Sequence, residues 1–292
     1  MGRVVAVVAF ASAILLLAAL FYSSSKLNQQ TNDTVDGLFV IHDHKGPVFV
    51  TTALQALSTA LLAVPLWYLY EATRFRRPEV PPVARYLAIA APPLHAILAL
   101  ARQVQVAHVA DKVHAHLLAN SMPPDAANHY AKDQLSAGAA QVVGGLGLAA
   151  GIALAFAFVL VALNAMRAGL LSRFMGILGI GVGVLFVLPL LGSVPIVEMF
   201  WVAAVGLLAL GRWPQQGRGP AWETGEAIPW PTAQQRAEEM AARREAREDD
   251  DGAEPVAAHR TPAAATVGNG DGEAGHPVPS HPRSKKRKRK RR

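Results

Sequence analysis

AGAAQVVGGLGLAAGIALAFAFVLVALNAM, residues Ala137–Met166, runs for thirty positions without a charged side chain. As an α-helix it would measure about 45 Å at 1.5 Å per residue, well beyond the ~30 Å hydrocarbon core of a bilayer. No water is present at that depth to satisfy backbone N–H and C=O groups, so such a stretch has to be helical. Five further apolar stretches accompany it, with Arg85 and Glu198 as their only charged residues: Val4–Tyr22, Val48–Tyr70, Val83–Ala101, Phe174–Leu191 and Pro195–Leu210. The shortest of them just reaches the lower limit for a crossing. The expected fold is all-α, a polytopic transmembrane helical bundle of six spans.

Orientation follows from the arginines. Arg3 precedes the first span, Arg74, Arg76, Arg77 and Arg85 surround the second connection, Arg167 and Arg173 flank the fourth, and Arg212 follows the last. The first and third connections instead mix Lys26, Lys45, Arg102, Lys112 and Lys132 with Asp33, Asp36, Asp43, Asp111, Asp125 and Asp133. Short loops rich in Lys and Arg stay cytoplasmic, so both termini are expected inside. A cleavable signal peptide competes for residues 1–22. Val4–Tyr22 is longer than the usual core of one, and its exit lacks a small-x-small site, so it reads as a span.

Composition agrees with this class: 52% of the residues are apolar, yet charge is concentrated in loops and tail instead of being spread over a surface. Cysteine is absent, which removes disulfides, thiolate metal sites and cysteine nucleophiles. The net charge of +7 comes largely from the last ten residues and says little about the body of the chain.

The chain divides near Arg212, with residues 1–211 as the membrane domain and 212–292 as a cytoplasmic tail. Trp213, Trp222 and Trp230 punctuate a Gly/Pro-rich stretch expected to lie along the inner membrane surface. Thr232 with Gln235 resembles a capping box opening a marginal helix. Residues 252–284 have the composition of a disordered linker. The terminal run Lys285, Lys286, Arg287, Lys288, Arg289, Lys290, Arg291 and Arg292 reads as an anchor for anionic lipid headgroups. Tethering of a ribosome or other nucleic acid is the alternative, through phosphate neutralisation without base stacking.

Within the spans the clearest signals concern packing. Gly147 with Gly151, and Gly179 with Gly183, form GxxxG pairs that let helices approach closely in lipid. Pro65, Pro92, Pro93 and Pro189 each remove a backbone donor, and Pro92-Pro93 is expected to be the largest break. His95 sits beside it, near mid-span. Titratable groups at that depth face a bundle interior or a wet cavity. Glu198, in the last span, and the amides Gln55 and Gln141 would complete a polar track with His95, giving a proton or cation relay. The plainer reading makes His95 a neutral imidazole bonded to the kinked backbone and Glu198 a first-turn acid favoured by the helix dipole.

The histidine-rich connections supply weak metal candidates in His42, His44, His108 and Asp111. If residues 102–119 continue the third span, Val106, Val109, Val113 and Leu117 form one apolar stripe, and no pair of histidines is spaced i, i+4. A solvated helical hairpin, broken at Pro123-Pro124, explains these residues without a metal. No cofactor is expected.

The segment Asn164-Ala-Met-Arg-Ala-Gly-Leu-Leu-Ser-Arg-Phe-Met-Gly-Ile-Leu-Gly179, with Gly211-Arg-Trp-Pro and Ala221-Trp-Glu-Thr-Gly-Glu-Ala, resembles an uncharacterised family of bacterial six-span integral membrane proteins. The likeness covers roughly residues 140–231. It implies a bacterial inner membrane and carries no activity with it. The function class expected is a non-enzymatic binding or structural membrane component. A proton- or cation-coupled transporter or channel using His95 and Glu198 is the alternative. An enzyme is the least favoured class, since no nucleophile–base pair is present.

Overall fold

The computed structural model describes residues 1–27, 33–187, 195–213, 219–231, 234–235, 237–238 and 240–244. These are helical throughout, with no strand among them. The order is α1 (Gly2–Lys26), α2 (Thr34–Asp43), α3 (Lys45–Leu61), α4 (Ala63–Arg76), α5 (Val83–Ala119), α6 (Pro124–Leu135), α7 (Gly138–Arg167), α8 (Arg173–Val187), α9 (Pro195–Leu210) and α10 (Pro220–Thr224). Four helices, Gly2–Lys26, the joined pair Lys45–Arg76, Val83–Ala119 and Gly138–Arg167, are long and apolar enough to cross a membrane. Helices α8 and α9 are apolar but shorter, at 15 and 16 residues. The turn at Gly192-Ser193-Val194 and Pro189 lie outside the described residues, as do Thr232 and the basic run Lys285–Arg292.

The proline expectation is reversed. Helix α5 continues through Pro92 and Pro93 without interruption, while the break falls at Leu62, one turn before Pro65. Two donors are lost at Pro92-Pro93. Yet Ala84, Ala88, Ala91, Pro92 and Ala96 are all buried against neighbouring helices, and that packing holds the backbone helical. Pro65 frees the Leu61 carbonyl at the seam of α3 and α4, and Leu62 N–H turns to Thr59 O at 3.1 Å in a tighter turn.

Small residues set the helix contacts. Trp201 of α9 is fully buried and donates from Nε1 to Met175 O at 3.0 Å. It fits because α8 has no side chain at Gly179, where a Cβ would lie 2.6 Å from Trp201 Nε1 and 2.9 Å from Ala162 Cβ. Gly183 brings α8 onto Ala155 and Phe158 of α7, and Gly206 brings α9 onto Ala9 of α1. Helices α1 and α3 are stitched by a reciprocal pair: Ser12 Oγ donates to Ser58 O at 2.9 Å, and Ser58 Oγ to Ser12 O at 2.8 Å. Gly147 departs from the packing expectation. Nothing lies within 4 Å of a Cβ placed there, because its face of α7 looks into open space above the crossing with α8.

The tryptophan stretch docks, through Trp222, on the protein's own loops. Trp222 Nε1 donates to Leu170 O at 2.9 Å, Arg76 Nε donates to Ala221 O at 2.7 Å, and the Arg76 guanidinium lies 5.2 Å over the Trp222 ring. Helix α7 ends in a Schellman turn, with Leu170 N–H on Ala165 O and Gly169 at φ +76°. Gly169 touches the Ile228 carbonyl, a contact no side chain would permit. The compact unit accordingly runs from Met1 to Gln234, past the sequence boundary at Arg212.

Trp201 and Ala162 are both fixed, so Gly179→Ala is expected to cost about 1–3 kcal/mol by overpacking. Gly147→Ala, facing open space, should stay within about 0.5 kcal/mol. Thermal unfolding midpoints in detergent separate the two, and equal midpoints would contradict the close α8–α9 contact.

Candidate binding cavity

A cavity of about 370 Å³ lies between α5 and α7, lined by His95, Leu98, Ala99, Arg102, Gln103, Val106 and Gly147. The six α5 residues fall at spacings of three and four, so helical geometry puts them on one face. Gly147 supplies the opposite wall by having no side chain. The volume lies toward the lower end for small-molecule sites.

His95 forms the floor. Its ring stands edge-on to Phe186, with centroids 5.9 Å apart, and Gly151 leaves it room: a Cβ there would sit 3.7 Å from Cε1. Nδ1 is buried without a hydrogen-bond partner among the described residues, so the expected bond to a carbonyl freed by Pro92 or Pro93 is not made. The uninterrupted helix explains why. The ring leans across to α7 and α8, away from its own backbone. A buried polar atom left unpaired costs about 1–3 kcal/mol.

Two turns along α5, Arg102 is exposed at the mouth and has no acidic partner among the described residues. Gln103 Oε1 lies 3.4 Å from Thr52 Oγ1 of α3, a long contact that ties the amide to a third helix. Sequence reasoning passed over Arg102 and Gln103 as loop residues. The legible signal was their place on the His95 face, seven and eight positions on.

The other expected members of a polar track are elsewhere. Glu198 is partly buried in the first turn of α9, which packs on α1, α4 and α8 and makes no contact with α5 among the described residues. Gln55 and Gln141 are exposed and line nothing. Glu198 is not among the residues that line the cavity at His95.

Beyond the cavity, α5 outruns a bilayer. Its 37 residues would span about 55 Å, against ~30 Å of hydrocarbon. The projecting part packs with α2 and α6 around Leu38, Val109, Ala110, Val113 and Ala131. The expected apolar stripe is present, and the hairpin turns at Pro123 as anticipated. Helix α2 was not foreseen. Its signal was Asp33, whose Oδ1 caps Asp36 N–H at 2.9 Å and whose Oδ2 accepts from Asn128 Nδ2 of α6 at 3.0 Å.

The metal candidates are only partly assembled there. His42 Nδ1 donates to Asp111 Oδ1 at 2.7 Å, and Lys45 Nζ meets the same oxygen at 2.5 Å. The His42 ring stacks on His114 with centroids 4.0 Å apart. His44 instead donates to Val40 O, within its own helix, and His108 is exposed. Among the described residues no three His, Cys, Asp or Glu side chains are grouped to hold a metal ion. The pair is better described as a clasp joining α2 and α3 to α5.

No protein-family model matches the chain, and no curated protein or solved structure matches it either.

Lys45, then His42, holds the Asp111 carboxyl below its ordinary value of 3.8, and the Asn128 amide, then Asp36 N–H, does the same for Asp33. Both groups have folded-state values below their unfolded ones. Their stabilisation is thus complete above the ordinary carboxylate range and disappears as pH falls through the folded values. Protection of the amides of residues 34–43, relative to their intrinsic exchange rates, should be insensitive to these carboxylates from neutral pH down to about 5 and fall below about 4. Asp111→Asn should give faster exchange already at neutral pH; exchange unchanged by that substitution would remove the clasp.

Proposed function

We propose that this chain is a six-span membrane protein with both termini on the cytoplasmic side, acting as a non-enzymatic binding component. Its ligand is held in the α5–α7 cavity and enters from the outer half of the membrane. The observation that carries the reading is the cavity itself: a half-open pocket between α5 and α7 with His95 at one end and Arg102 and Gln103 at the other.

The topology has independent support. Arg74, Arg76, Arg77, Arg85, Arg167 and Arg173 gather at one end of the bundle, and the aspartate- and histidine-rich helices α2 and α6 gather at the other. Apolar α8 and α9 supply the fifth and sixth spans. The resemblance to bacterial six-span proteins favours an inner membrane, and the basic run Lys285–Arg292 suits contact with anionic lipid on its cytoplasmic face.

A relay of protons or cations draws little support from this geometry. His95 and Glu198 lie on helices that do not touch, and a guanidinium at the mouth repels cations.

Because the chain contains no cysteine, single-cysteine variants report cleanly on exposure. In intact cells a membrane-impermeant maleimide should label Asp125→Cys and spare Pro78→Cys. Ala99→Cys, in the cavity wall, should also react, whereas Ile97→Cys, whose side chain is 63% exposed on the lipid-facing side, should not. Labelling of Pro78→Cys would overturn the topology. Ala99→Cys reacting no faster than Ile97→Cys would overturn the cavity.

A further inference from the structure

We infer that the cavity takes an anionic amphiphile: a carboxylate or phosphate head on Arg102 and Gln103, a short apolar chain along Leu98 and Ala99, and a hydrogen-bonding group at the far end against His95. The inference rests on the binding role proposed above and specifies its ligand.

Charge selects the head. Arg102 is exposed at the mouth with no acidic partner among the described residues, and a guanidinium presents a planar fork matched to carboxylate and phosphate oxygens. Gln103 stands beside it, steadied by Thr52, with an amide able to donate to the same head. Side chains on a helix tilt toward its N-terminus, so Arg102 leans along α5 in the direction of His95.

The interval selects the chain. Leu98 and Ala99 are the only α5 residues lining the cavity between the two polar ends among the described residues, and neither can form a side-chain hydrogen bond. Seven residues separate His95 from Arg102, which is about 10 Å along the axis. Opposite them α7 offers Gly147, so a chain meets no side chain from that wall.

The floor selects the far end. His95 lines the cavity, and its imidazole makes no hydrogen bond among the described residues. A wholly apolar chain tip would leave it unpaired, whereas a hydroxyl or carbonyl would satisfy it. Sites that hydrogen-bond a ligand group reject analogues lacking it more strongly than apolar pockets reject an extra methylene.

The test uses the full chain carrying Ala99→Cys in phosphatidylcholine nanodiscs, and reads protection from the impermeant maleimide. ω-Hydroxyoctanoate should protect, and octanoate should need about tenfold higher concentration, as expected for one lost hydrogen bond at a buried group. Acetate and octyltrimethylammonium should give no protection over the same range. Adding Arg102→Gln should abolish protection, with an unchanged thermal unfolding midpoint certifying the fold. Adding His95→Ala should make the two octanoates equivalent. Equal protection by the cation would overturn the anionic head, and equal protection by acetate would overturn the chain. Equivalence of the two octanoates with His95 intact, or protection by neither, would overturn the ligand. In all those outcomes Ala99→Cys still reacts; failure of labelling itself would instead remove the cavity.

Discussion

In hydrocarbon an apolar side chain gains nothing by turning inward, so these helices are held by closeness and by the few polar bonds between them. Trp201 illustrates the constraint. Its indole reaches Met175 O only because Gly179 leaves the space, and its ring then meets Phe158 at 5.2 Å. Gly183 against Ala155, Gly206 against Ala9 and the Ser12–Ser58 pair extend the same device from α7 through α8, α9 and α1 to α3. Each is a place where a larger side chain would separate two backbones. The cavity is this pattern without a partner. Gly151 still touches Phe186, but one turn further along α7 Gly147 meets nothing, and the gap between α5 and α7 stays open.

What was legible in the sequence was whatever depends on solvent. Runs without charge have to be helices in lipid, so the long spans could be read directly, and the arginines marked one end of the bundle. The stripe Val106, Val109, Val113 and Leu117 likewise foretold the projection of α5, because its period is helical and its partners are apolar. Depth singled out His95, which lines the cavity between α5 and α7. What could not be read was which faces meet. Glu198 and His95 lie at compatible depths, but depth is one coordinate, and α9 packs on α1, away from α5. Pro92-Pro93 carried the stronger local signal for a break, yet burial on both sides overrode it, while the single Pro65 coincided with a seam. Average preference places tryptophan near the membrane surface but says nothing of partners, so the contacts of Trp222 with the Leu170 carbonyl and the Arg76 guanidinium could not be read.

The two ends of the bundle are closed by different physics. At the arginine end, closure is geometric: a Schellman turn at Gly169, a backbone contact at Ile228, and an indole bonded to a loop carbonyl. These bonds are neutral or lie against protein, so salt and pH reach them poorly. At the opposite end, closure is electrostatic. Asp111 gathers Lys45 and His42, and Asp33 is held by Asn128, all on exposed helices. Such contacts are individually weak and sensitive to the medium. The cavity mouth lies beneath the second kind of closure.

That placement bears on the cavity itself. Arg102 stands at the edge of a low-dielectric region, and Asp111 of the same helix is engaged by Lys45 and His42. Nine positions on a continuous helix carry Asp111 half a turn round the axis and about 13.5 Å along it, so the two side chains stand on opposite faces of α5. One face closes the projecting end through an ion pair, and the other keeps at the cavity mouth a guanidinium unpaired among the described residues. The helix thus separates its acid from its base, and the mouth stays positive without any contribution from the clasp.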